Sequence, residues 1–346
     1  MKTSRLLKAA LLLSFCTSLG FYGPGSQAAA AEVNVYSARK EVLIKPLFDT
    51  FTAETGITVN LVSAKADALL QRLEREGANS PADVFLTTDA GRLAKAKQRG
   101  LLQPVSSELL DAAIPAQYRD PDGVWYGLSI RARPIIYAVD RVKPAELSSY
   151  LALAGPDWKG RVCVRSSSNI YNQSLLASFI HHQGVDLAEG WAKGLVANFA
   201  RKPQGGDTDQ IRAVAAGECD VALANTYYLA RLTVSSKEAD RAVAAKVAIF
   251  WPDQAGAGVH VNISGAGVTR AATNRAEAIA LLEFLAGQQA QRNYAEVVHE
   301  YPIRGDVAWS DVVSAWGRFK ADEINLAILG RNNAEAVRIA DRAGWR

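Results

Sequence analysis

The sequence predicts an α/β protein of two lobes joined by extended crossovers, and three observations carry that prediction. The chain has 346 residues, enough for about two domains of ordinary size. Strand-like and helix-like segments alternate along it in two successive blocks, which implies parallel sheets covered by helices. Between the blocks, WYGLSIRARPIIYAVDR (125–141) reads as two extended pieces, because Pro134 interrupts any helical interpretation. Hydrophobic residues make 49% and charged residues 21%, a balance that excludes both a disordered tail and an all-apolar membrane bundle.

The N-terminus is read separately from the fold. MKTSRLLK is a basic start, and AALLLSFCTSLGF is an apolar stretch too short for a spanning helix of about 20 residues. Ala29-Ala30-Ala31 then fits the small-x-small cleavage rule, so residues 1–31 read as a secretory signal peptide, cut after Ala30 or Ala31. Cys16 invites a lipid anchor, but Phe15 is large where such a site wants a small residue. The mature protein is expected in the periplasm. Lys2, Arg5 and Lys8 are the only charges of this leader, so the formal +4 of the whole chain becomes +1 beyond it. No basic stripe interleaved with aromatics follows, which argues against a nucleic-acid partner.

The elements follow in order. VNVYSA is a strand, and KPLFDTFTAETG (45–56) a helix stopped by Gly56. ITVNLVSA is a strand, DALLQRLEREGA a helix, ADVFLTT (82–88) a strand, and AGRLAKAKQRG a helix ended by Gly100. In the second block RVCVRSS is a strand, followed by the helices NQSLLASFIHHQG and LAEGWAKGLVANF. GGDTDQIRAVAAGE is a helix capped by Asp207 or Thr208, and CDVALANT is a strand. VAIFWP and HVNISGAGVT are extended, and RAEAIALLEFLAGQQAQRNYAEV, SDVVSAWGRFKA and NNAEAVRIADRAG read as three terminal helices. Ligands of such sheets sit beyond the strand carboxyl ends, often in an interdomain cleft.

Catalytic signatures are lacking: no G-x-S-x-G, H-E-x-x-H, P-loop or G-x-G-x-x-G occurs. His181 and His182 are neighbours on a helix and do not share a face, so they do not hold a metal jointly. His299, in VHEYP, is the one histidine an enzyme reading can use. Cys163 and Cys219 are the cysteines beyond the leader, and in an oxidising compartment pairing is the expectation, with two small buried thiols as the alternative.

The tyrosines say more. Tyr171 stands eight residues after Cys163, and Tyr227-Tyr228 begins eight after Cys219. Two strands tied side by side would deliver all three to one rim, although tyrosines also close strands for packing. Phenols ionise near pH 10, so gathering several as ligands at neutral pH suits a strongly Lewis-acidic ion such as Fe(III). Zn(II) draws on Cys and His, and Ca(II) on carboxylates and carbonyls.

The strings VNVYSARKE, SPADVFLTTDAGRL, WYGLSIRAR, KGRVCVRSSSNIYNQSLLA, FARKPQGGDTDQIRAVAAGECDVALANTYYLARL, HVNISGAGV and HEYPIRGDV together resemble the periplasmic ferric-ion-binding proteins, the substrate-binding components of iron(III) ABC transporters. The resemblance runs in order through nearly the whole mature chain. It implies a two-lobed, transferrin-like type II periplasmic-binding fold with hinge strands and Fe(III) in the interlobe cleft. It implies residues 32–130 with about 255–305 for one lobe, and 131–254 with about 306–346 for the other. The implied iron ligands are Tyr171, Tyr227 and Tyr228.

One segment departs from the family pattern. Where many members carry His or Tyr after the first strand, this chain has Lys40-Glu41. Glu41 is read as a solvated charge or an ion-pair partner of Lys40 or Arg39, with a carboxylate ligand as the alternative, and Tyr36 as packing within its strand. An anion such as carbonate, or water, then completes the coordination. Arg131 and Arg133 match the family's basic segment near the anion, and Arg231 is an outer charge beside the tyrosine pair; each alone could equally be an interlobe salt bridge. The resemblance implies a monomeric carrier without catalytic activity that hands Fe(III) to a permease in the inner membrane. A carrier of an oxyanion, polyamine or sugar, or a periplasmic enzyme built on His299, is the rival reading.

Overall fold

A computed structural model describes residues 31–346; the leader reading, including Cys16, lies outside the described residues apart from Ala31. Ten strands, β1 (Glu32–Ser37), β2 (Thr58–Ser63), β3 (Val84–Thr88), β4 (Tyr126–Ala132), β5 (Ile135–Ala138), β6 (Val162–Cys163), β7 (Val221–Leu223), β8 (Val247–Phe250), β9 (Val261–Val268) and β10 (Tyr301–Pro302), form two sheets. The first runs β10-β4-β9-β3-β1-β2 and the second β6-β7-β5-β8. The two-lobed α/β architecture read from the sequence is the one observed.

β1 pairs in parallel with β2 and β3, as the first alternating block requires. β9 then inserts antiparallel between β3 and β4, so a late segment completes the first sheet. Only Arg133 and Pro134 separate β4 from β5, yet these strands belong to different sheets. The chain returns to the first sheet between β8 and β9. These are the extended crossovers. In the second sheet β6 and β7 are parallel neighbours, and a disulfide joins Cys163 to Cys219 with their Cα atoms 5.9 Å apart. Closing a loop with a sequence separation of 56 stabilises by about 4 kcal/mol in the chain-entropy model.

Several boundaries differ from expectation for physical reasons. The first helix spans Glu41–Thr55 and carries Pro46 inside it, because its buried stripe of Ile44, Leu47, Phe48 and Phe51 begins before the proline. RVCVRSS and CDVALANT are strands over only two and three residues, and their tails lead into the helices Ile170–Gln183 and Thr226–Thr233. The Asp207–Ala216 helix is capped by Gly206, whose N–H donates to Asp209 at 2.6 Å, and neither Asp207 nor Thr208 is the cap. Asp207 is instead a buried ion-pair partner of Arg133 and Arg165.

The long helix expected from Arg275 is broken into Arg275–Ala286, Gln288–Asn293 and a π-helical turn over Tyr294–Val298. Buried Gln291 supports the break: its amide donates to the carbonyls of Leu285 and Leu128 and accepts from Ile303 N–H. SDVVSAWGRFKA is helical only over Asp311–Ser314. The last helix starts earlier than expected, at Ala327, and places Gly330 against the Ala90–Gln98 helix, where an added Cβ would collide with Ala94. Among the largest fully buried side chains are two arginines, Arg131 and Arg133. Burial on this scale requires compensation, and their partners lead to the site.

Candidate metal centre

Tyr171 is the second residue of the Ile170–Gln183 helix, whose start is set by Asn169 accepting the Tyr171 N–H at 3.0 Å. Tyr227 and Tyr228 are the second and third residues of the Thr226–Thr233 helix. Parallel β6 and β7 thus feed two helix N-termini, and those first turns carry the tyrosines. The Tyr171 and Tyr227 hydroxyls lie 3.5 Å apart, and the Tyr227 and Tyr228 rings pack with centroids 4.2 Å apart at a tilt of 32°. All three line a cavity of about 200 Å³ together with Thr88, Lys40 and Arg231. The positive end of a helix favours an ionised phenol in its first turn.

The three phenols differ in acidity. Burial alone would raise the Tyr171 pKa, but the Arg131 guanidinium together with the Thr88 and Tyr227 hydroxyls holds it below its ordinary value. Burial pushes Tyr227 well up, and the neighbouring Tyr171 and Tyr228 charges push it further. Tyr228 is raised by burial, then by Tyr171 and Asp207. Tyr171 is therefore the most acidic of the three phenols, and Tyr227 and Tyr228 hold their protons more tightly than an ordinary tyrosine.

The arginines divide by their partners. Arg131 sits 4.9 Å over the Tyr171 ring and donates through Nη2 to the Ile263 carbonyl at 2.8 Å, while its buried Nε and Nη1 have no partner among the described residues. Arg133 is committed: Nη1 donates to Asp207 at 2.9 Å and Asn225 at 3.1 Å, and Nη2 to Asn172 at 2.8 Å and the Leu223 carbonyl at 3.1 Å. It ties β5's approach to Asn172, in the first turn of one tyrosine helix, and to Asn225, the residue before the other. Arg231 lies 4.9 Å over the Tyr227 ring. Lys40 reaches the cavity wall, whereas Glu41 is exposed in the first turn of its helix and is not among the lining residues. Tyr36 is buried and its hydroxyl donates to Glu76 at 3.0 Å.

Four residues at or beside the site, Thr88, Arg39, Glu300 and Asp89, were not read as site residues from the sequence, where Arg39 figured only as an ion-pair partner of Glu41. Thr88, at the carboxyl end of β3, places Oγ1 3.5 Å from the Tyr171 hydroxyl. The rule that ligands gather at strand carboxyl ends could have found it. Arg39 and Glu300 form a buried pair at 3.1 and 3.2 Å, with Ser264 Oγ donating to the same carboxylate at 3.0 Å. Burial alone would raise the Glu300 pKa, but Arg39 and Arg131 hold it low. No local signal links residues 261 positions apart. Asp89, between a strand and a helix, fits an N-cap pattern, and its side chain does accept the Gly91 N–H.

Among the described residues no three His, Cys, Asp or Glu side chains gather as a metal site. His299 lines a separate cavity of about 570 Å³, and burial followed by the Arg231 charge lowers its pKa. Ser178 and His182 both bond to Asp322, an order in which serine and histidine do not form a nucleophile–base pair.

The sequence pattern of the bacterial extracellular solute-binding proteins matches residues 79–320, and the chain belongs to that family. Its relatives include iron uptake protein A1 of Synechocystis sp., 50% identical over 323 residues, covering 93% of this chain and 89% of that protein. A Trichodesmium protein solved in complex with iron and citrate ligands is 52% identical and superposes with a TM-score of 0.89, covering 91% of this chain and 100% of the other. The ferric binding protein from Campylobacter jejuni, at 40% identity, superposes with a TM-score of 0.87 over 91% of this chain and 100% of its own.

Proposed function

We propose that the chain is the exported iron(III)-binding component of an ABC-type iron uptake system, acting in the periplasm. The convergence of Tyr171, Tyr227 and Tyr228 beside Arg131 is the observation that carries this reading. Three phenolate oxygens balance the charge of one ferric ion, and binding releases the phenolic protons. The iron-named relatives and the iron-bearing Trichodesmium structure support the same choice.

Tyr171, Tyr227 and Tyr228 are the proposed ligands. Arg131 brings two buried nitrogens, unpartnered among the described residues, to the neighbourhood, which suits an oxyanion such as carbonate or a small carboxylate completing the coordination. Arg133 acts at one remove, by fixing Asn172 and Asn225 beside the tyrosines, and Arg231 offsets charge on Tyr227. Lys40 and Glu41 leave the loop after β1 without an imidazole or phenol, so the exogenous anion carries more of the coordination. We assign residues 32–130 with about 255–305 to one lobe and 131–254 with about 306–346 to the other; the two sheets support this division, except that β4 of the first sheet runs on to Ala132. The loaded monomer then presents iron to a membrane permease; no covalent chemistry is involved.

Ferric titration followed by visible absorption tests this reading. A phenolate-to-iron charge-transfer band that saturates at one iron per chain is expected. A chain that stays colourless and binds another solute instead would overturn it.

A further inference from the structure

One buried carboxylate beside the tyrosines is not used as a ligand in this reading. Asp89 follows β3, is fully buried and has φ of 85°, a region in which residues other than glycine are strained. Three bonds hold it within the first sheet and its helix: its N–H donates to the Ile263 carbonyl at 2.7 Å, and its carboxylate accepts from Gly91 N at 2.9 Å and Asn262 Nδ2 at 2.9 Å. A fourth crosses to the other sheet's side. Ser174 Oγ, on the Ile170–Gln183 helix that follows β6, donates to Asp89 Oδ1 at 2.7 Å.

Ser174 lies one helical turn after Tyr171, so the two share a face turned toward the end of β3. Gly91 leaves room for this approach: a Cβ there would come within 3.1 Å of Ile170 Cδ1 and 3.4 Å of Ser174 Oγ. A second line joins the same groups. The Ile263 carbonyl that accepts from Asp89 also accepts from Arg131 at 2.8 Å, and Arg131 lies over the Tyr171 ring.

We propose that Asp89 is a positioning residue: through Ser174 it latches the Tyr171-bearing helix onto the end of β3, holding the Tyr171 oxygen in place against Thr88 and Arg131. The inference rests on the ferric reading and adds a residue to it that touches neither the metal nor a phenol. A buried hydroxyl donating to a carboxylate is a strong bond, and the strained backbone marks a position the fold maintains against a local cost.

The test compares Ser174→Ala with Ser178→Ala in the exported chain. Both serines are buried on one helix and both donate to a carboxylate, Ser178 to Asp322 at 2.8 Å. Ser174→Ala should lower ferric affinity about tenfold and reduce the charge-transfer intensity per bound iron, because one phenolate is less firmly held. Ser178→Ala should keep the wild-type band and affinity. Asp89→Asn, in a residue type that tolerates positive φ, keeps an acceptor for Ser174 but loses its charge, and should give a smaller loss in the same direction. An unchanged band and affinity in Ser174→Ala, or equal losses in both serine variants, would overturn the latch while leaving the ferric reading intact. A wild-type chain with no band would overturn the ferric reading itself, and the latch with it.

Discussion

At the scale of single residues, function turns on which polar atoms are already engaged. Tyr36 and Tyr227 are both buried tyrosines, but the Tyr36 hydroxyl is bonded to Glu76, whereas Tyr227 faces a second phenol across 3.5 Å. Tyr227→Phe or Tyr228→Phe should therefore weaken ferric binding by more than about 100-fold, beyond what losing an outer-shell partner costs. Tyr36→Phe should leave iron affinity unchanged and lower stability by about 1 kcal/mol. Competitive chelator titration with parallel denaturant melts separates the two effects. Arg131 and Glu41 make a second contrast. Arg131→Ala should weaken binding about 10- to 100-fold and remove its dependence on added carbonate at fixed pH, while Glu41→Gln, at an exposed position, should do little. Loss of binding in Glu41→Gln alone would make that carboxylate the ligand.

At the scale of elements, the site depends on short strands feeding helix starts. β6 and β7 contribute two and three residues, and the disulfide ties their neighbourhood, so equal spacing from each cysteine brings the tyrosines to adjacent helix N-termini. Equal spacing was legible in the sequence; the Ile170–Gln183 helix was read as starting two residues late, at Asn172, and the Thr226–Thr233 helix, only eight residues long, was not assigned. The C-terminal helix Ala327–Arg342 packs on both the Ala90–Gln98 helix and the tyrosine-bearing Ile170–Gln183 helix. Gly330 permits that closeness. Gly330→Ala should push the first two apart and destabilise by about 1–3 kcal/mol, as overpacking does, despite the better helix propensity of alanine. A thermal melt equal to or above the wild type would show that the helices adjust without cost.

At the scale of the whole molecule, pH acts on folding and on binding through different groups. Burial pushes the His260 pKa down to about 3, with the Asp322 charge opposing and Arg133 and Arg131 assisting. The unfolded chain takes up a proton near pH 6.5 that the folded chain refuses, so stability is full above that value. It should fall by about 1.4 kcal/mol per pH unit as pH drops toward the folded pKa. Denaturant melts of the apo protein from about pH 7 to about pH 5 measure this, and a flat profile would mean His260 is not held neutral. Iron affinity should fall over the same interval for another reason. Tyr227 and Tyr228, both raised, must lose protons to become ligands, so acid favours the protonated site.

The sequence by itself determined the α/β class, the two alternating blocks, the crossover at Pro134 and the spacing of three tyrosines from two cysteines. These are legible because hydrophobic period and turn chemistry act over a few residues. Only the tertiary structure decided that both terminal nitrogens of Arg133 are taken up by Asp207, Asn172, Asn225 and Leu223, while Arg131 keeps Nη1 and Nε unpartnered among the described residues, although both stand in one IRARP segment. It also decided that Glu41 stays in solvent while Thr88 and Asp89 meet the Ile170–Gln183 helix. The reason is that a polar group's role depends on which partners reach it through space, and those partners come from strands and helices far apart along the chain.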